Sequence, residues 1–468
     1  MKFTNSFIFC AVLFAGLVFL SPIFGQSNNN NNSNRNNNGN NNNGGGWYGG
    51  SSVVGGVEVD ANGILKTAES AKMKAVGESL AKLLEQVPAD LKEKASVRKV
   101  SLKKIDAQMQ DIIAKNGEFP DALRYLGGLT AIRYIVVVPE ENDVLLVGPA
   151  EGWKVDAFSN VVGTSSGRPV LRLEDLLTVF RAWSHTERPS VITCSIDPTQ
   201  DALAKIAQVE KQFAYATAAN AQAKANAYEQ AYGLNTVTVN GVPANSRFAK
   251  VLVACDYKMK RFGLGLESSN VRGLPSYTSL INGSQSQRTP RFWLAPEYGT
   301  VSYDSQKNVW QLSEVKVKAL TDDEYIDSRS NSRQSSGKVD KAAMNWCGKM
   351  NAHYDALCKV DPVFGDLKNC MELAIAAALI QREGLLEKAD CKLPTFAENS
   401  QAKPVSYPVP KNVPSQSVIS RAGQSIIIAC GGVEINPFVP VQNAKLDSAL
   451  DKSAKDLAKT DGKAWWSK

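Results

Sequence analysis

From Val57 the chain alternates briefly as a strand would, turns at Asn62-Gly63, and enters a stretch in which Met73, Val76, Leu80, Leu83, Leu84 and Val87 share one helical stripe. Pro88 ends it. A second stripe, Leu102, Ile105, Met109, Ile112 and Ile113, predicts a helix over 101–115 that Asn116-Gly117 stops, and a short third helix is expected at 120–126. The runs 132–138 and 143–147, separated by Pro139-Glu140-Glu141-Asn142, read as a β-hairpin. Their residues are nearly all apolar, which predicts burial on both faces.

Two glycine-punctuated loops come next, Gly148 to Trp153 and Gly163 to Pro169. The pattern then predicts a helix at 173–183, a buried strand at 190–196, and a helix opened by Asp197 as N-cap and Pro198 as first residue. Along that helix Leu203, Ile206, Val209, Phe213 and Ala216 recur at helical spacing. Strand, turn and strand are expected at 236–239, Asn240-Gly241 and 249–256, with more β structure at 292–294, 301–303 and 309–318. After a polar stretch, helices at 339–359 and 363–386 meet at Asp361-Pro362, a connection short enough to make them antiparallel. An extended, proline-rich stretch at 404–414, a strand at 426–429 and a charged helix or tail at 446–466 complete the chain.

These elements predict a mixed α/β (α+β) fold, a buried sheet with covering helices plus a C-terminal helical hairpin. The expected organisation is a helical lead-in at 57–97, an α/β core at 98–327, a polar linker at 328–338, the hairpin at 339–396, and a tail at 397–468.

The N-terminal end changes the picture of where such a fold works. Lys2, the apolar run Phe7 to Leu20, and Ser21-Pro22-Ile23-Phe24-Gly25 read as a cleavable signal peptide over 1–25, so the mature chain is expected to begin at Gln26 and to be exported. Residues 26–56 are dominated by asparagine and glycine, hold little to bury, and are expected to form a disordered spacer. No later run is long and apolar enough to span a bilayer, so the mature chain is expected to lack a transmembrane helix. The expected setting is periplasm, cell envelope or extracellular space.

Charge and residue counts exclude several chemistries. With 53 Lys and Arg against 46 Asp and Glu, the net charge of +7 is mild for 468 residues. The clusters Lys99, Lys103, Lys104 and Lys258, Lys260, Arg261 are too sparse for a nucleic-acid partner. There are two histidines, His185 and His353, and the cysteines contain no Cys-x-x-Cys pair. No metal site and no cofactor are therefore expected.

Several stretches resemble an exported family of planctomycete bacteria, the domain of unknown function 1598. They include Tyr125-Leu126-Gly127-Gly128-Leu129, Gly148 to Trp153, Gly167-Arg168-Pro169-Val170, Cys194-Ser195-Ile196-Asp197-Pro198-Thr199, Asp256-Tyr257-Lys258-Met259-Lys260, Gly263-Leu264-Gly265-Leu266-Glu267 and Pro362-Val363-Phe364. The resemblance runs from Arg98 to Phe396. It implies residence in the cell envelope and brings no catalytic residue with it.

Candidate chemistry gathers at the loops. Glu151 beside Trp153 is a pair suited to a sugar or peptide, one side chain hydrogen bonding an edge and the other stacking. Arg168 is a candidate carboxylate ligand; the Lys-Ser/Thr pair that would make its loop a phosphate loop is absent. Asp197 and Asp256 each come after an apolar run that reads as a strand, and a pair about 5–10 Å apart could serve acid–base chemistry. The same matched strand ends predict that Cys194 and Cys255 lie in neighbouring strands. Ser195, His185 and Asp197 lack the Gly-x-Ser-x-Gly elbow of a hydrolase triad. The expected function is thus a non-enzymatic structural or binding component of the cell envelope, its partners there unnamed. The alternative is an exported hydrolase of glycan or peptide using Glu151, Asp197 and Asp256.

Overall fold

Alternate residues of the hairpin Tyr134–Val138 and Asp143–Ala150 feed two different cores. Ile135, Val137, Val144 and Leu146 enter the main one, whereas Val136, Val138, Leu145 and Val147 pack with Val309 and Leu457. Leu457 belongs to the helix Leu450–Ala458 on the far face, so both faces are covered. A strand buried on both sides keeps no polar alternation, which is why these runs are continuously apolar.

The computed structural model describes residues 53–467 except 158, 184–190, 216, 218, 282–288, 328–331, 336–339, 399–401, 403, 416–417, 420–425, 428 and 463. The expected signal peptide and the spacer as far as residue 52 lie outside the described residues. Val53–Val54, placed in the spacer by the sequence reading, is a buried strand that pairs with Val57–Val59. Two adjacent valines hold enough apolar surface to be ordered.

The described sheets include two of seven strands. The first runs in the order Lys445–Leu446, Val301–Tyr303, Val309–Leu312, Tyr134–Val138, Asp143–Ala150, Ala95–Ser101 and Trp466–Ser467. The second runs Ser332–Ser335, Lys316–Asp327, Thr289–Glu297, Cys430–Ile435, Ile192–Pro198, Leu234–Asn240 and Asn412–Pro414. Both draw strands from the C-terminal stretch. Cys430–Ile435 lies parallel to Thr289–Glu297 and antiparallel to Ile192–Pro198. It can do so because Gly431 and Gly432 pass so close to the backbones of Phe292 and Cys194 that a Cβ at either position would collide.

The described helices include α1 (Leu102–Ala114), α2 (Leu173–Trp183), α3 (Arg247–Leu264), α4 (Lys341–Val360) and α5 (Val363–Arg382), of which α2 to α5 carry the charged clusters described below. α1 packs on the first sheet, α3 on the second, and α5 against α2, α3 and α4. α5 is buried along most of its length, and its small residues Ala374, Ala376, Ala377 and Ala378 lie within the main core. The expected helical hairpin is thus present as α4 and α5, joined at Asp361-Pro362, and its second arm is a core element. The fold is mixed α/β.

The structure corrects three further sequence expectations. Residues 249–256 are part of α3 rather than a strand. The helix is capped by the Ser246 hydroxyl, which accepts from Ala249 N–H, and it ends at Gly265 with a φ of 73°. Because α3 is buried nearly all round, Val251-Leu252-Val253-Ala254 shows no helical period and looks like a buried strand. Cys194 and Cys255 are therefore not strand neighbours. Asp197 and Pro198, expected to open a helix, end the strand Ile192–Pro198; Thr199 is the cap, its hydroxyl accepting from Ala202 N–H at 3.1 Å.

Candidate functional site

The two glycine-punctuated loops pack against each other. Trp153–Val155 pairs with Val161–Gly163, Thr164 N–H donates to Gly152 O at 2.8 Å, and Gly163 N–H donates to Arg168 O at 2.8 Å. The Glu151 carboxylate sits beneath this turn. It accepts the Ser165 N–H at 2.8 Å, the Ser166 N–H at 3.1 Å and the Ser166 hydroxyl. Burial alone would raise the Glu151 carboxyl, but the Ser166 hydroxyl and these backbone donors outweigh it and hold it below its ordinary value. Gly163 lacks a Cβ where one would strike the Glu151 side chain. Trp153 is buried as well, its ring 5.8 Å from that of Tyr125, so neither it nor Glu151 presents a face to a ligand.

Arg168 is different. It leaves the same turn with half its side chain exposed and lines a cleft of about 160 Å³. The opposite wall comes from α4 and α5, which supply Asp355, Lys359, Lys368 and Glu372. Pro169 forms part of the floor, its carbonyl accepting from Asn369 Nδ2 at 2.9 Å. Arg133, also in the lining, pairs with the buried Glu372 at 3.3 Å, and Glu372 takes the Ile132 N–H at 3.1 Å. Burial raises the Glu372 carboxyl above its ordinary value, with Arg133 opposing. Four cations, Arg133, Arg168, Lys359 and Lys368, face two carboxylates, so the cleft favours an anionic group.

Glu151 therefore reaches the cleft only through the turn it holds, which carries Arg168. Sequence reasoning found Arg168 and missed Arg133, Lys368 and Glu372. The signal for Glu372 was a lone carboxylate inside the apolar stretch Met371 to Ile380, where an unpaired charge would be costly. Lys368 carried no such signal, because a charged residue at the start of an amphipathic helix is ordinary.

Asp256 lies elsewhere, fully buried on α3. Its Oδ2 accepts from Lys260 Nζ at 2.9 Å, and the same ammonium donates to Gly431 O at 3.1 Å. Burial raises the Asp256 carboxyl, Lys260 opposes that, and the charge of Asp197 adds to it. Asp197 is half-buried at the strand end, and Asp256 lies on the helix packed against that strand. His185 lies outside the described residues, so the Ser195, His185, Asp197 arrangement has no described geometry.

A second charged cluster is internal. Arg247 on α3 bonds Asp175 of α2 and Asp366 of α5, each at 2.5 Å, with Glu174 at 3.9 Å. Tyr407 donates its hydroxyl to Glu174 at 3.2 Å. All of these side chains are buried, and together they tie three core helices to one another.

Among the described residues, no group of three or more His, Cys, Asp or Glu is placed to hold a metal ion. No described helix is long and apolar enough to cross a membrane. Residues 194–277 match the model of a family described as a protein of unknown function (DUF1598). The matched segment runs from the strand Ile192–Pro198 through α3 to Tyr277, and the cleft residues lie outside it. No curated protein and no solved structure matches the chain.

Proposed function

We propose, starting from a chain whose residues 194–277 carry a domain of unknown function, that it is an exported, non-enzymatic binding component of the cell envelope. One observation carries the non-enzymatic part. Two of the three carboxylates a hydrolase would draw on are already engaged, Glu151 by the N–H groups of Ser165 and Ser166 and Asp256 by Lys260 on α3, which leaves Asp197 without a second carboxylate to work with. A general acid has to reach the scissile atom and keep its proton near neutral pH. Glu151 is buried and held below its ordinary value, and Asp256 has no exposure. Among the charged residues lining the open cleft, the cations Arg133, Arg168, Lys359 and Lys368 outnumber the carboxylates Asp355 and Glu372, a balance that favours holding an anion. Export rests on the charge at Lys2, the apolar run Phe7 to Leu20 and the small Gly25.

The test is expression from the full gene in a bacterial host, with fractionation and N-terminal sequencing of the product. The expected product begins at Gln26 and is recovered outside the cytoplasm. Recovery with residues 1–25 intact, or in membranes after alkaline washing, would overturn the export reading.

A further inference from the structure

Glu314 comes just after the strand Val309–Leu312 and holds its carboxylate against Lys368 and, at 3.6 Å, against Arg168. Those two cations come from separate segments, the turn at 163–168 and α5, and both line the cleft. They converge on a single carboxylate at its edge. The arrangement is open on the Arg168 side, where Arg168 is 51% and Glu314 42% exposed, and closed on the other, where Lys368 is 13% exposed. The Arg168–Glu314 pair, open to water, is worth about 0–1 kcal/mol, so an incoming anion can take the place of Glu314 on Arg168 at little cost.

We propose that the cleft binds the free carboxylate terminus of a peptide-like ligand, with Arg168 and Lys368 transferring their hold from Glu314 to the ligand. This deepens the binding reading above and rests on it. Two features select a carboxylate over a phosphate. The group these cations already hold is a carboxylate. Asp355 and Glu372 share the lining, where they oppose a dianion, and the exposed Asp355 can still accept from an amide N–H next to a single carboxylate. At about 160 Å³ the cleft is smaller than the roughly 300–1,000 Å³ that enclose a whole drug-sized ligand, so it takes a terminal residue rather than an entire molecule.

The full chain is titrated calorimetrically at neutral pH with acetyl-trialanine as the free acid, with its C-terminal amide, and with inorganic phosphate. The acid is expected to bind, with the amide and phosphate each weaker by roughly tenfold or more, the loss expected for a charge-assisted hydrogen bond. Arg168→Ala is expected to weaken the acid to a similar extent. Glu314→Gln is expected to tighten it, because the internal competitor is gone. Both positions are well exposed, and unchanged melting of each variant shows that the fold is kept. Equal binding of acid and amide, phosphate binding as tight as the acid, or a Glu314→Gln variant that binds no better would overturn the proposal, as would absence of binding. The probe is recovered and weighed afterwards. Its cleavage would overturn the non-enzymatic reading and leave the carboxylate site standing, whereas an intact, unbound probe overturns the site alone.

Discussion

Arg247 and Asp366 meet at 2.5 Å where both side chains are almost fully buried, and the same guanidinium holds Asp175. Breaking such a cluster from one side leaves charges in the core that nothing compensates. Arg247→Met is expected to cost about 3–5 kcal/mol, read as a lower midpoint of urea unfolding. A loss below about 1 kcal/mol would show that the carboxylates repack or take up protons freely.

The same cluster sets a pH dependence. Burial, with Glu174 and Asp366 adding to it and Arg247 opposing, pushes the Asp175 carboxyl up from 3.8 to about 6. Between those values the folded chain holds a proton that the unfolded chain has released, so stability falls as pH rises through that window and levels off above it. Asp175→Asn is expected to flatten that part of the profile. Urea midpoints of the two proteins at several pH values from about 3.5 to 7 provide the check.

Lys260 and Asp256 are coupled in a different way. Lys260→Met leaves Asp256 buried with no ammonium beside it, so the variant is expected to lose about 3–5 kcal/mol at neutral pH and less in acid, where Asp256 takes a proton. Adding Asp256→Asn to Lys260→Met is expected to restore part of the loss. A double-mutant cycle measures it, and strict additivity would show that the pair contributes nothing as a pair.

Glu151 is a positioning residue for the turn that carries Arg168. Glu151→Ala leaves the Ser165 and Ser166 N–H groups without their acceptor and is expected to cost about 1–3 kcal/mol. It is also expected to weaken any ligand whose affinity depends on Arg168, whereas Glu151→Gln, which keeps one acceptor oxygen, retains part of that affinity. Melting and calorimetry on the two variants separate these effects.

The cysteines offer a further check. Cys194, Cys255, Cys347, Cys358, Cys370, Cys391 and Cys430 are all thiols rather than disulfides, and all but Cys358 are buried. Burial pushes the Cys194, Cys255 and Cys370 thiols far up, and those of Cys347, Cys358 and Cys391 to about 12. Thiolate is the reactive form, so the native protein is expected to react slowly with a disulfide reagent at neutral pH and quickly once denatured. Rapid reaction of the native chain would contradict the packing of these residues.

How legible each segment was in the sequence depends on how the fold covers it. The hairpin around Pro139 declared its two-sided burial through unbroken apolar strands, and α1 through its one-sided stripe. α3 was read as a strand over 249–256 because a helix buried all round shows no period, and its cap at Ser246 lies before the apolar run began to look regular. The strand Cys430–Ile435 stayed hidden because two glycines, normally turn residues, are what let it into the centre of the sheet. Of the candidate site, Glu151 with Trp153 and, separately, Arg168 were singled out from two loops, and the fold gives them different places: Glu151 holds the turn, Trp153 packs, and Arg168 faces the cleft. Lys368 and Glu314 could not be paired in advance, since 54 residues and a change of element separate them.

The most direct test of a binding rather than a hydrolytic role is co-sedimentation of the purified protein with isolated bacterial cell envelopes, assaying the supernatant for new reducing ends and new amino groups. The protein is expected to pellet with the envelopes, Arg168→Ala to pellet less, and the supernatant to gain neither product. Release of either product at a rate lost in Asp256→Asn or Glu151→Gln would contradict it and establish those carboxylates as catalytic.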